Sequence, residues 1–432
     1  ITLTLLFSTL KQTFESSLAL FGTFSLSIGI LFVLEGGNLT EEYALLFQSL
    51  ALYLLTRDIS RPAKRYPFLL GFSLAMAFWL RQNLTGIWIA IVLYWLGSAI
   101  LSRTWNILLR RLSLLALGFV SISVFILSYF AAQHALGAMW EAFFKYNTVY
   151  SSQLPIASKI RAPFKGIGYL APTGLPLLAF SGWFVATFRV AKNSMTDLSE
   201  VQRALIYVAW ISLPVEILFT SLSGRYYPHY FIAWLPVLVI LGCYFLSHLQ
   251  SQSVSGSRIS SISKRTLLAS LAISMILYTL NLWMYTAHRF LEKNSDDPVQ
   301  ALIERSTQHD SYVLMWGAEA KYNYLAGRKS PTRYVYQYPL YMRRYHTPAM
   351  INQFLNQLME HSPEIIIDTS PSNPNIPPID RTQREKWRSP ADPAYEVLPE
   401  TKAVFEYIES HYQFKDLVGQ KKWRVYVKTT DL

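Results

Sequence analysis

The stretch Glu35-Gly36-Gly37-Asn38-Leu39-Thr40-Glu41-Glu42-Tyr43-Ala44-Leu45-Leu46-Phe47 sets three carboxylates between two long apolar runs. Upstream, Phe14 to Leu34 is almost unbroken apolar sequence of membrane-spanning length, and Leu39 to Thr56 is another, so the turn reads as lying at a bilayer surface. Gly36-Gly37 permits a tight reversal because glycine accepts positive φ. Asn38 is a good N-cap with Glu41 three residues on, as in a capping box, and the helix dipole favours Glu41 and Glu42 in the first turn. A cap is one reading of Glu41. The other comes from further along the helix, where Gln48 follows Glu41 by seven residues and Ser49 follows Glu42 by seven. Such a polar stripe in an apolar helix must face protein or water.

Working outward, the whole chain has the same character. Its 432 residues are 52% hydrophobic and 15% charged, with a mean hydropathy of +0.22, which points to a polytopic membrane protein. The single Cys243 excludes an intramolecular disulfide framework and a cysteine metal cluster. A net charge of +12 invites a nucleic-acid reading, but from Lys293 onward there are 18 Lys and Arg against 17 Asp and Glu. The excess, 21 against 10, belongs to the apolar part, where basic loops between spans account for it without a nucleic-acid partner. The opening Ile1-Thr2-Leu3 suggests the later part of a longer protein.

Apolar runs predict nine spans: Phe14–Leu34, Leu39–Thr56, Tyr66–Leu80, Leu84–Leu101, Leu112–Ala131, Phe164–Phe188, Ala204–Ser221, Tyr230–His248 and Thr266–Thr286. Alternate connections carry the cations: Arg57, Arg61, Lys64 and Arg65; Arg103, Arg110 and Arg111; Arg189, Lys192 and Arg203; Arg258, Lys264 and Arg265. The positive-inside rule makes these cytoplasmic and puts the Glu35–Glu42 turn, Arg81-Gln82-Asn83, Ala132 to Pro163, Gly224 to Pro228 and the tail outside. Trp79, Trp88, Trp95, Trp140, Trp183, Trp234 and Trp283 lie near span ends, as in an aromatic belt. Trp140 to Asn147 is amphipathic and suits the outer membrane surface, with Lys159 and Arg161 beyond it as attractors of lipid phosphate.

The expected fold class is an α-helical polytopic membrane protein of about nine transmembrane helices (residues 1–290) with a small C-terminal extracytoplasmic α/β domain (residues 291–432). In that tail Ser311–Trp316, Glu364–Asp368, Phe414–Val418 and Trp423–Val427 read as strands. Pro298–Thr307, Ala318–Ala326, Pro348–His361 and Thr401–Tyr412 read as helices, and Gly317 and Gly327 as turn residues. No phosphate loop, zinc motif or nucleophile elbow is present in the tail sequence.

A second polar constellation, Ser223-Gly224-Arg225-Tyr226-Tyr227-Pro228-His229-Tyr230, precedes an apolar run containing Pro236 and shares the outer side with Glu41. Arg225 offers a planar fork for phosphate oxygens, or a cation for lipid headgroups; His229 can exchange a proton, or serve as a satisfied histidine among helix ends. Arg81 and Asn83 form a third polar break on that face. These placements predict Glu41 or Glu42 near Arg225.

Three features together resemble a known family: Thr40-Glu41 with Leu45-Leu46-Phe47; Arg225-Tyr226 before a Pro-bearing span; and a tail with Trp316-Gly317 and Tyr322-Asn323-Tyr324-Leu325-Ala326-Gly327-Arg328. The chain is similar to the bacterial relatives of the protein O-mannosyltransferases, GT-C glycosyltransferases of the family 39 and aminoarabinose-transferase type. The resemblance implies inverting transfer of a sugar from a polyprenyl-phosphate donor to a glycan, lipid or protein acceptor outside the cytoplasmic (inner) membrane, without a further cofactor. It implies that carboxylates, here Glu41 and Glu42, activate the acceptor, while Arg225, Tyr226, His229, Arg81 and Asn83 bind substrate. The family's main catalytic aspartate lies in a first external loop that has no counterpart before Phe14 in this sequence. Two other functions compete: a transporter or flippase, for which polar groups among the spans would mark a path, and a non-catalytic cell-envelope assembly protein.

Overall fold

The computed structural model describes residues 1–35, 37–253, 297–387 and 389–429, with Ile276, Leu280, Trp283 and Met284 besides. The chain divides into two compact units, one of Ile1–Met139 with Leu154–Tyr285 and one of Trp140–Gln153 with Thr286–Leu432.

The first unit is helical. In chain order it contains α1 (Thr2–Lys11), α2 (Ser16–Val33), α3 (Thr40–Ser60), α4 (Arg65–Leu80), α5 (Gly86–Ser102) and α6 (Trp105–Ala132). After α7 (Leu136–Trp140) and α8 (Tyr146–Ser152) come α9 (Ile156–Leu170), α10 (Leu175–Ala191), α11 (Glu200–Ser221) and α12 (Leu235–Ser253). Among the described residues, four helical stretches are long and apolar enough to cross a membrane: Ser16–Val33, Trp105–Ala132, Glu200–Ser221 and Pro228–Ser251. The bent pair Ile156–Thr173 and Leu175–Ala191 makes a fifth if it is one span.

Eight of the nine expected spans coincide with helices, but not all in the expected form; Thr266–Thr286 lies outside the described residues apart from Ile276, Leu280, Trp283 and Met284. Helices α4 and α5, of 16 and 17 residues, are ~24–26 Å long at 1.5 Å per residue, short of a ~30 Å hydrocarbon core. Helix α3 carries Glu41 and Glu42 at one end and Arg57 and Asp58 at the other. The run Phe164–Phe188 is not one helix. Pro172, Gly174 and Pro176 fall within five residues, so α9 ends in a 3-10 turn, Gly174 takes φ +67° and α10 leaves at 111° to α9.

Glycine and tryptophan settle the packing. Gly71 of α4 faces the Leu115 carbonyl of α6 and Gly118 of α6 faces the Phe68 carbonyl of α4, so these backbones touch where a side chain would separate them. Trp88, Trp95 and Trp234 are buried between helices and do not join a belt. Trp88 Nε1 donates to the Leu70 carbonyl and to Ser73 Oγ, 3.1 Å each, and Trp234 Nε1 donates to Thr220 Oγ1 at 3.0 Å.

The second unit is a small α/β layer structure: β1 (Val313–Trp316), β2 (Ile365–Asp368), β3 (Tyr412–Val418) and β4 (Trp423–Lys428) form a sheet of order β1-β2-β4-β3. β1 pairs parallel with β2, and β4 runs antiparallel to both β2 and β3. Alternation along the strands gives the sheet two buried faces. Leu314, Trp316, Ile366 and Tyr426 meet α15 (Pro348–His361) and α17 (Thr401–His411), while Val313, Met315, Ile365 and Val425 meet α13 (Pro298–Ser306) and α14 (Lys321–Leu325). A helix the sequence did not suggest, α16 (Arg381–Trp387), follows Asp380, whose Oδ1 accepts the Gln383 amide at 2.9 Å.

Trp140 to Gln153 belongs to this unit. Tyr146, Val149 and Tyr150 pack on its core, Tyr146 meets Tyr345 edge-on at 5.3 Å, and Gln153 donates to the Arg343 carbonyl at 2.9 Å. Of the amphipathic stretch Trp140 to Asn147, expected to lie on a membrane, Tyr146 is thus spent on protein, while Trp140 stays 61% exposed.

Candidate functional site

The site is built on the turn between α2 and α3. Glu35, Gly37 and Asn38 all have positive φ, at 42°, 86° and 63°, a conformation that Gly37 adopts without strain. The cap differs by one residue from expectation: α3 begins at Thr40, and Glu42 Oε1 accepts the Leu39 N–H at 3.2 Å, so Glu42 is the capping carboxylate. Asn38 instead accepts a hydrogen bond from Tyr43 Oη at 2.6 Å.

Glu41 is thereby left to point inward, 2% exposed, where it pairs with Arg81 and accepts from Thr40 Oγ1 at 3.0 Å. Arg81 reaches it because α4 ends there in extended backbone, φ −167° and ψ 126°. The guanidinium also lies over the Tyr230 ring, 4.1 Å from its centroid. A carboxylate this buried requires a cation against it.

The predicted polar stripe faces protein. Gln48 and Ser49 are fully buried, and Gln48 Nε2 donates to the Leu84 carbonyl at 3.5 Å. Asn83 Nδ2 donates to the Phe219 carbonyl at 3.4 Å. The loop from Arg81 to Gly86 is thus held by α3 on one side and α11 on the other.

Sequence reasoning placed Glu41 or Glu42 beside Arg225. What joins the two stretches is Glu35, which pairs with His229 Nδ1 and accepts the His229 N–H at 3.4 Å, together with Arg81, which links Glu41 to Tyr230. His229 stacks on Tyr227 at 5.7 Å. Arg225 is half-buried, its N–H donates to Ser223 Oγ at 3.2 Å, and Gly224 packs on Leu154, Ser158 and Lys159. Tyr226 is exposed beneath the Lys165 ammonium, 5.9 Å from its ring centroid.

Three participants went unselected in the sequence. Glu35 and Tyr230 lie in the two polar stretches, but nothing in the sequence distinguishes them from their neighbours. Glu216 had a clearer signal, a carboxylate inside the predicted span Ala204–Ser221, which is by default a functional candidate. It is fully buried, and a Cβ built on Gly86 would fall 2.5 Å from its Oε1. The Ile87 amide faces its carboxyl group, yet no donor meets either oxygen in hydrogen-bond geometry among the described residues.

The tail motifs act structurally. Asn323 Nδ2 donates to the Val313 carbonyl at 2.8 Å, Arg328 Nη2 to the Thr307 carbonyl at 2.8 Å, and Gly317 and Gly327 both take positive φ. They brace β1 and its neighbouring turns.

No protein-family model matches this chain, and no curated protein matches its sequence.

Proposed function

We propose that the chain is part of an inverting membrane glycosyltransferase that moves a sugar from a polyprenyl-phosphate donor to an acceptor on the extracytoplasmic face of the inner membrane. The observation that carries this reading is the gathering of Glu35, Glu41, Arg81, His229 and Tyr230 at the Glu35–Glu42 turn, next to the Ser223–Tyr226 segment. In such a transfer the acceptor oxygen bonds to the anomeric carbon as the bond to phosphate breaks; the phosphate keeps the electron pair and the acceptor proton passes to a base. Cations at the leaving phosphate stabilise charge that is larger in the transition state than in bound donor. Arg225 is assigned that role. Glu41 acts as a positioning residue that holds Arg81, Glu42 caps α3, and Glu35 with His229 forms the more exposed acid–base pair. The nine-span arrangement with an extracytoplasmic tail belongs to this proposal and is supported by the cations of alternate loops.

The test is turnover by the intact protein in proteoliposomes, offered a panel of polyprenyl-phosphate monosaccharides. Arg225→Ala is expected to lower turnover roughly a hundredfold, equivalent to about 2.7 kcal/mol, with normal membrane expression, and Arg225→Lys to recover only part because lysine lacks the planar fork. Wild-type turnover by Arg225→Ala would leave headgroup anchoring as the account of this residue.

One observation favours a second reading. Glu216 is a carboxyl group inside an apolar helix, as along a transport path. A transporter predicts that Glu216→Gln abolishes flux of lipid-linked sugar across proteoliposomes; a transferase predicts no such flux in the wild type.

A further inference from the structure

Helix α9 has two unlike faces. Ala162, Gly166 and Leu170 are buried, with Gly166 against the Phe231 ring. On the outer face Ile156, Ile160 and Phe164 are 76%, 60% and 70% exposed. At ~100° per residue these three lie within ~80° of one another, and the exposed cations Arg161 and Lys165 follow ~60° and ~100° further round. Water would hydrate this apolar stripe at a cost, and nothing in the transferase chemistry uses it.

Orientation decides what covers it. Helix α10 packs along α12 so closely that Gly182 meets the Leu241 carbonyl, and all but the last two residues of α12 belong to the span candidate Pro228–Ser251. A helix bent by 111° from α10 therefore lies near the plane of the bilayer that α10 and α12 enter. With 15 residues, ~22 Å, and three cations, α9 is too short and too charged to cross it.

We propose that α9 is an in-plane helix seated in the headgroup region of an anionic bilayer, with Ile156, Ile160 and Phe164 among the acyl chains and Arg161 and Lys165 on lipid phosphates. The Ser223–Tyr226 turn, through Gly224 on Lys159 and Tyr226 beneath Lys165, is held at the same depth. This assignment is independent of the transferase reading.

The test uses the intact protein in a Cys243→Ala background, spin-labelled at Ile156→Cys, Ile160→Cys or Phe164→Cys, with Ala162→Cys as buried control and Lys415→Cys as exposed control. It is reconstituted in vesicles of phosphatidylcholine with phosphatidylglycerol, and of phosphatidylcholine alone. The three stripe labels are expected to relax with oxygen and not with a water-soluble nickel chelate, at depths of roughly 5–10 Å below the phosphates. Adding Arg161→Ala with Lys165→Ala is expected to raise nickel access several-fold in the anionic vesicles and little in the neutral ones. Nickel access like that at Lys415 would mean a wet face, and shielding from both reagents a face covered by protein; either overturns the proposal. An equal response of the double variant in both vesicles would overturn the preference for an anionic bilayer.

Discussion

At the scale of single residues the buried Glu41–Arg81 pair makes the firmest claim. Removing Arg81 strands Glu41 in a dry site, so Arg81→Gln should lower thermal stability in detergent by about 3 kcal/mol or more; Glu41→Gln, which leaves the partly exposed Arg81, should cost less, and the double variant should fall short of their sum. Additive losses would mean that the pair is not coupled. In the α/β unit, Asp368 is buried and accepts the Ser370 and Ile379 amides at 2.9 Å each. Burial pushes its carboxyl above the usual aspartate range, against the opposing pull of those hydrogen bonds and of Arg424. The folded state then keeps a proton that the unfolded state releases, so its contribution is complete below the unfolded pKa of about 3.9 and is lost as pH rises through the folded value. Asp368→Asn, which cannot ionise, should show a flatter fall of stability across that window, read from exchange of the β2 amides; an unchanged slope would remove Asp368 as its source. Glu41 was legible because acid is rare in this part of the chain. Its partner was not, because Arg81 is forty residues away and reaches it only through the extended end of α4.

Among elements, the α4–α6 contact depends on two glycines that face each other's backbone partners. Gly71→Val must push α6 away from α4 and should cost about 1–3 kcal/mol in detergent melts. Gly97 of α5 has nothing within 4 Å of where a Cβ would stand, so Gly97→Ala should be neutral or slightly stabilising. Equal effects at the two positions would contradict the close approach. Hydropathy saw the run Phe164–Phe188 as one span because it sums composition and ignores chain direction. Pro172, Gly174 and Pro176 were visible in the sequence and are the physical cause of the break. The four tail strands were legible as short apolar segments between helical patterns, whereas α16, short and charged, had no periodicity to show.

For the whole molecule, contacts inside the helical unit sort its connections to two ends. Asp58 with Arg111, at 2.8 Å, joins two of the basic loops, and Gln202 with the Thr13 carbonyl joins the turn after α1 to the start of α11. Glu35–His229, Glu41–Arg81 and Asn83 with the Phe219 carbonyl join the connections of the opposite end. Reporter fusions after Arg65 and after Asn83, at the two ends of the helical unit, should then report opposite sides of the membrane, and the same side for both would sink the alternation. Within the α/β unit, the bond from Gln153 to Arg343 requires the segment after α7 to share a side with the tail.

Composition and periodicity by themselves determined that this is a mostly helical chain, with several helices long and apolar enough to cross a membrane, and an α/β tail, since apolar runs and their spacing are local properties that a sequence displays directly. They also marked the two polar stretches, because charge is scarce among apolar runs. Only the tertiary structure decided what each ionisable group meets: Glu41 with Arg81, Glu35 with His229, and Glu216 against Gly86. It likewise decided that Trp140–Gln153 packs with the tail and that α9 turns aside from α10. The physical reason is that pairing energy falls off within a few ångströms, and distances of that size are set by how helices dock, not by their order in the chain.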